Sequence, residues 1–364
     1  MAFGAYDAFI ESWAIYGASS DSAVISPRLA SRWTNPVINP TTSVLAATGG
    51  RLNGPSFQLG RTSFVYKTMS HQAHWIAGCA AKVPASGLVS AGGDLFGLQN
   101  NNITMFRLQL NIDGTLTMYA GNGVTVIATT ASPIVFNNAW FFWEVDVALT
   151  GTTNITVTAS LKVNGIVVAT GAVATGINMS VFLSNNATTN VFYLGSGMGS
   201  GSSTILLDGA FYIHNTGGAV PGYWGDIQVL YVLPNGDTAQ ADWAPNSGAV
   251  HYDRVNELPK DDDTTYLADG TAAQKDAWDW QNLAALTGVV RTVQLSAAAR
   301  KDAEGAKSFR TGVGATLSEA LSDTFYVNDS YIYYHFNWDL DPATGLAWTI
   351  TNFNAKQFGI DVVA

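Results

Sequence analysis

The chain has 364 residues, 47% of them hydrophobic but only 12% charged, and a formal net charge of −10. That length allows two or three domains of ~100–200 residues each. An acidic balance speaks against nucleic acid, whose grip needs clustered cations to displace counterions, and against docking on anionic lipid. A single cysteine, Cys79, excludes a disulfide framework.

The N-terminal "MAFGAYDAFIESWAIYG" lacks a basic start and carries Asp7 and Glu11 within its apolar stretch, so it does not read as a signal peptide. Cys79 lies in the apolar run "HWIAGCAAKV" and is expected to be a small core residue. From 104 to 130 the pattern has period two: Met105, Arg107 and Gln109 fall on one face, Phe106, Leu108 and Leu110 on the other. Asp113-Gly114 in its middle predicts a hairpin with a type I′ turn, and Asn164-Gly165 and Asn235-Gly236 also sit between strand-like runs. No charged residue occurs between Val163 and Leu207, yet Thr, Asn, Ser and Gly interrupt that stretch too often for a membrane span. It reads as uncharged strands and loops, with "GSGMGSGSS" (195–203) as a loop.

Gly217, Gly218, Pro221 and Gly222 in "HNTGGAVPGYWGD" (214–226) suggest a domain boundary, with denser charge beyond it. The expected domains are 1–220 and 221–364. Over 296–308, "SAAARKDAEGAKS" has alanines that suit a helix, but strand-like flanks favour a hairpin closed at "KDAEG". Short strands with frequent turn signals predict an all-β chain of sandwiches or barrels.

Several residues invite a chemical reading. Glu144 and Asp146 in "WEVDVAL" share a strand face and match the start of the E-x-D-x-x-E strand of concanavalin-like glucanases. Such an enzyme needs two carboxyl groups ~5–5.5 Å apart, and the third carboxylate of the pattern falls on Leu149, so an ordinary strand is favoured. His71 and His74 form H-x-x-H, two ligands where zinc wants three or four. No P-loop or dinucleotide fingerprint is present. Asp261, Asp262 and Asp263 in "PKDDDTTYL" allow two readings: a calcium loop, since calcium accepts carboxylates in flexible geometry, or a turn whose Asp side chains cap backbone N–H groups. The turn is favoured, because an EF-hand spacing is missing, and no other cofactor is expected.

Two resemblances emerge. The segment "YWGDIQVLYVLPNGDTAQADWAPNSGAVHYDRVNELPKDDDTTYL" and the closing "DPATGLAWTITNFNAKQFGI" resemble segments of bacteriophage virion proteins. The matching positions include Gly225, Asp226, Pro234, Gly236, Asp237, Trp243, Tyr252, Glu257, Asp263 and Tyr266. Upstream, Asp113-Gly114-Thr115-Leu116, Trp140, Asn164-Gly165 and Asp208 ahead of "FYIHNTGG" resemble a laminin-G or concanavalin-like lectin sandwich, with Gly209 where lectins often place a second acid.

The resemblance implies a concanavalin/laminin-G-like jelly-roll sandwich over 1–220, followed by a smaller β-sandwich over 221–364. It implies a structural virion component of tail, neck or head fibre. Such a protein is expected to be made in the host cytoplasm, to be no enzyme, to form a homo-oligomer and to contact other virion proteins; the acidic, interrupted sequence adds the expectation of no membrane insertion and no nucleic-acid binding. Two readings stand beside it. One is a carbohydrate-binding adhesin for host glycans, with Trp33, Trp75, Tyr119 and Trp140 as stacking platforms. The other is a glycan-degrading enzyme built on Glu144. The second core is expected around Trp243, Tyr252, Tyr266, Trp348 and Phe358.

Overall fold

A computed structural model describes residues 8–364 except 40–42, 47, 52–54, 61, 86, 88–91, 101–102, 122–124, 153, 178–188, 197–203, 216–221 and 285–287. The chain is all-β, about half strand and 8% helical, in a sandwich or jelly-roll-like arrangement. It divides into two compact units, Met1–Val229 and Leu230–Ala364. The division falls later than the 220/221 boundary expected, because residues 223–229 pack on the first unit.

Two antiparallel sheets form the first unit. Sheet I contains β1 (Ala8–Glu11), β3 (Val44–Ala46), β4 (Ser56–Gly60), β6 (His74–Lys82), β11 (Trp140–Thr150), β12 (Thr156–Val163), β13 (Ile166–Ala174) and β15 (Thr204–Asn215). Its order is β13-β12-β11-β6-β15-β4-β3, with β1 also on β15. Sheet II contains β2 (Asn35–Val37), β5 (Phe64–Gln72), β7 (Gly93–Asn100), β8 (Ile103–Leu110), β9 (Leu116–Ala120), β10 (Thr125–Thr129) and β14 (Thr189–Ser196), in the order β10-β9-β8-β7-β14-β5-β2.

Alternate residues of each strand point between the sheets, and there the core lies. Phe96, Leu98, Phe106, Leu108, Met118, Phe192 and Leu194 from sheet II meet Trp143, Val145, Val147, Leu161 and Phe211 from sheet I, all buried in one cluster. Cys79 is fully buried in it, and burial drives its thiol well above the usual range, leaving it a core residue with no accessible thiolate. Helix α1 (Ser22–Ala30) starts at Asp21, whose carboxylate accepts from the Ala23 N–H, and buries Ile25 and Leu29.

The turns follow local chemistry. Asn164 and Gly165 both have positive φ, 49° and 83°, the two left-handed positions of a type I′ turn joining β12 to β13. At Asp113-Gly114 the hairpin stands, but the turn is not type I′. Gly114 alone is left-handed (φ 82°), its N–H donates to the Asn111 carbonyl, and Asp113 accepts from the Thr115 N–H. That is a three-residue loop with a bulge, selected because Asp bonds its own backbone two residues on.

The second unit holds a six-stranded sheet of β16 (Pro234–Ala241), β19 (Lys275–Trp280), β21 (Ser308–Val313), β22 (Ala320–Leu321), β23 (Phe325–Tyr326) and β25 (Phe358–Val362). Beside it lie the pairs β17 (Ala244–Pro245) with β18 (Leu267–Ala268), and β20 (Val293–Ala299) with β24 (Ile332–Trp338). Val293, Leu295, Val313, Trp338, Trp348, Phe353 and Phe358 form its core. Trp348 and Phe358 are buried as expected, whereas Trp243 and Tyr252 are half-buried and Tyr266 is exposed. The expected hairpin at 296–308 does not form: β20 pairs with β24, and β21 with β22, β23 and β25. The intervening residues are a loop between two sheets. Asn235-Gly236 is no turn either but a register irregularity within β16.

Candidate functional site

The strand pairings of sheet II bring one row of residues into line across its outer face. Tyr66 of β5 lies opposite Tyr193 of β14, Tyr193 opposite Gly97 of β7, Gly97 opposite Arg107 of β8, and Arg107 opposite Tyr119 of β9. The next positions, Leu194, Phe96, Leu108 and Met118, are buried in the core, so the row faces away from it. Gln109 lies beside Arg107 on the same face, opposite Thr117, and Phe64 beside Tyr66. Phe64, Tyr66, Gln99, Arg107, Gln109 and Tyr119 are all half-buried, presenting part of each side chain to solvent.

Two backbone features organise the centre. At Leu95 the pairing of β7 with β8 slips by one residue, so Leu95 and Phe96 both enter the core and Asp94 is turned to the outer face beside Gln109. Gly97 leaves room above the sheet, and the Tyr193 ring fills it; a Cβ there would overlap that ring. Tyr193 thereby reaches Asp94, its hydroxyl donating to Oδ2 at 3.1 Å, while Arg107 Nη1 donates to Oδ1 at 2.9 Å. The Arg107 guanidinium also lies 4.3 Å from the Tyr119 ring centroid. Burial raises the Asp94 carboxyl above its usual range despite the pull of Arg107, and burial together with Asp94 drives the Tyr193 phenol well above its own.

The outer face of sheet I repeats this device and then covers it. Gly78 lies under the Tyr212 ring, and the Tyr212 hydroxyl donates to Glu144 Oε1 at 2.5 Å. Residues 223–229 run over the pair. The Trp224 ring stacks on Tyr212 (4.6 Å, 18°) and on His214 (4.9 Å, 16°), and the Gly225 N–H donates to Glu144 Oε1 at 2.8 Å. Arg51 pairs with Asp226, and the Tyr223 hydroxyl donates to the Ser160 carbonyl at 2.9 Å. Burial pushes the Tyr223 phenol up to about 12. Ile10, Ile76, Ala80, Phe142, Tyr212 and Trp224 form an apolar cluster there; among the described residues the outer face of sheet II bears none.

The residues singled out from sequence separate accordingly. Tyr119 is on the outer face of sheet II. Trp33 and Trp75 are core residues, 1% and 2% exposed, and cannot serve as platforms. Trp33 Nε1 donates to the buried Glu11, which also takes the Tyr16 hydroxyl and pairs with Arg32. Trp140 is half-buried against the sheet I cluster. Glu144 is sealed under 223–229, Asp146 pairs with His74 at 2.6 Å, and Leu149 is in the core, so the carboxylate pattern on β11 is structural. His74 thus faces Asp146 from β6, while His71 is the next-to-last residue of β5.

The calcium reading of Asp261, Asp262 and Asp263 is corrected in favour of the turn. Asp261 accepts from the Thr265 N–H and hydroxyl, Asp262 pairs with Lys260, and Asp263 takes Arg300 (2.7 Å) and Tyr331 (3.0 Å), which hold its carboxyl below the usual range. The three carboxylates diverge to three partners. Among the described residues no group of three or more His, Cys, Asp or Glu is placed to hold a metal.

The second unit has a polar cleft of about 550 Å³ lined by Asp279, Trp280, Glu319, Lys356 and Gln357. Its polar groups largely satisfy one another: Lys356 donates to Glu319 at 2.6 Å, and Gln357 to Asp279 at 3.0 Å. His251 Nδ1 meets the fully buried Asp276 at 2.7 Å, which ties a 3-10 turn to β19. Among the described residues no helix is long and apolar enough to cross a membrane.

No family model and no curated protein matches the chain. Solved structures do. The alginate lyase Aly36B is 11% identical, covering 57% of this chain and 96% of its own, with a TM-score of 0.40. The PL-14 alginate lyase of Aplysia kurodai is 13% identical, covering 57% and 98%, at 0.40. The endo-beta-1,4-glucuronan lyase of Trichoderma reesei is 10% identical, covering 50% and 91%, at 0.38. The likeness is too remote to carry any residue across. The expectation of a structural virion protein is corrected to this extent: these neighbours are polysaccharide lyases, and none of the three is a virion component.

Proposed function

We propose that the first unit is a polysaccharide-binding module whose sugar surface is the outer face of sheet II. The observation that carries this reading is the in-register row Tyr66, Tyr193, Gly97, Arg107, Tyr119, with Gln109 beside it. Sugar rings present C–H faces that stack on aromatic rings and hydroxyls that bond amides, guanidinium and carboxylate. Tyr66 and Tyr119 supply half-buried rings at the two ends, and Arg107, Gln99 and Gln109 supply the polar groups between them. Buried pairing fixes the middle of the row, so little side-chain freedom is lost on binding.

The reading is one of binding without cleavage. The acid and the phenol at the centre, Asp94 and Tyr193, are bonded to each other. Both are also buried, 7% and 6% exposed, and Arg107 engages the acid as well, so the pair serves to hold the row in place. Gel retardation in polysaccharide-containing native gels tests the proposal. Tyr119→Ala and Arg107→Ala should each abolish most of the retardation seen with the wild-type chain, and Trp140→Ala should leave it intact. Retardation unchanged by both sheet II variants would contradict it.

A further inference from the structure

The charge pattern of sheet II narrows the ligand class, given the binding reading above. Lys67, Asp94 and Arg107 are the only Lys, Arg, Asp or Glu residues in the seven strands β2, β5, β7, β8, β9, β10 and β14. Lys67 is turned the other way: its ammonium donates to the Arg32 carbonyl at 2.6 Å and lies 5.7 Å from the ring of the core residue Phe9. Among the described strand residues the outer face therefore carries one cation and one anion, and these are bonded to each other at 2.9 Å. A ligand carboxylate or sulfate would meet an Arg107 already compensated by Asp94, and would bring its own charge against that acid. An uncharged sugar meets aromatic faces, amides and hydroxyls with no such penalty.

The row also has a length. Tyr66 and Tyr119 are separated by four strand-to-strand steps, roughly 19 Å at ~4.8 Å per step. That is several sugar rings, laid across the strands and not along them. We infer that the outer face of sheet II takes an extended, uncharged polysaccharide chain running perpendicular to its strands.

Isothermal titration of the full chain tests this with mixed-linkage β-glucan, galactomannan and starch as neutral probes and with polygalacturonate as the anionic one, at low and high NaCl. A neutral polymer should bind with an affinity that changes less than about twofold as salt shortens the screening length severalfold. Its oligosaccharides should tighten with chain length, and its monosaccharide should not compete. Asp94→Asn, which leaves Arg107 uncompensated, should create salt-sensitive binding of polygalacturonate. Salt-sensitive polygalacturonate binding by the wild-type chain, with the neutral polymers silent, would overturn the neutral class and leave the glycan reading standing. Full competition by the monosaccharide would overturn the extended ligand. Silence toward every polymer would overturn both the inference and the function it rests on.

Discussion

The two outer faces of the first unit share one local design and put it to different use. On each, a strand glycine lets a neighbouring tyrosine lie flat and reach a buried acid: Gly78, Tyr212 and Glu144 on sheet I, Gly97, Tyr193 and Asp94 on sheet II. On sheet I the chain returns over this site and stacks Trp224 on Tyr212, so the tyrosine is fully buried and the face becomes a second core. On sheet II the acid pairs with Arg107 and the surrounding rings stay half-buried. Whether such a face becomes core or stays open is decided by what is laid over it, not by the tyrosine–acid pair. The Trp224 ring on sheet I also shows what this design accommodates, a flat ring stacked on an aromatic with an N–H donor at the acid.

Charge separates the units in the same spirit. Residues 1–229 carry 8 basic and 9 acidic residues, and residues 230–364 carry 9 and 18. The acidity that marks the whole chain therefore belongs to the second unit, and it says little about what the first unit binds.

Substitutions should break the comparison at graded cost. The largest effect belongs to Trp224→Ala, which removes a buried ring and leaves a cavity on sheet I; about 3–5 kcal/mol of unfolding free energy should be lost in denaturant titration. A loss under about 1 kcal/mol would mean that 223–229 is not an integral layer. Asp94→Ala strips Arg107 and Tyr193 of their shared acceptor. Because Arg107 is 25% exposed and partly screened, the loss should be about 1–3 kcal/mol. Gly97→Ala should cost about 1–3 kcal/mol by lifting the Tyr193 ring, and it should weaken glycan binding along with stability. Tyr119→Ala should change stability by less than about 1 kcal/mol while weakening binding about tenfold, separating surface function from folding.

A pH series sharpens the same contrast. Burial raises the carboxyls of Glu11 and Asp94 above their ordinary values. Their ionised forms are disfavoured in the folded chain, so the stability they contribute is complete below the ordinary carboxylate pKa and is lost as pH rises through the raised values. The unfolding midpoint of the first unit should rise as pH falls from neutral into that window, and Asp94→Asn should shallow the slope. A midpoint that falls monotonically over the same interval, unaltered by Asp94→Asn, would contradict the assignment.

Much of the architecture was legible beforehand. Period-two patterns such as 104–110 announced strands, and Asn164-Gly165 announced its turn, because both features depend on residues close in sequence. The candidate site was legible only in part. Arg107 and Gln109 do share a strand face, but Met105, assigned with them, is buried in the core, because β8 carries an extra residue where the Leu98–Phe106 pair gives way to Gln99–Thr104; Tyr119 was named. Asp94 and Tyr193 are 99 positions apart and meet only through a bulge at Leu95 and a glycine opposite a tyrosine, neither of which leaves a local signal. Trp33 and Trp75 show the converse failure. Composition marks an aromatic ring as a platform, but only tertiary packing decides whether it is outside, and here Glu11 and the core claim them. The 296–308 loop misled for a similar reason, since β20 and β21 each find long-range partners.

Hydrogen–deuterium exchange on the intact chain, with and without saturating neutral polysaccharide, tests the central claim most directly. The account expects slowed exchange in β8 and β9 (103–120) and in β5 (64–72), with β11 to β13 (140–174) unchanged. Protection confined to β11–β13, or to the second unit, would contradict it.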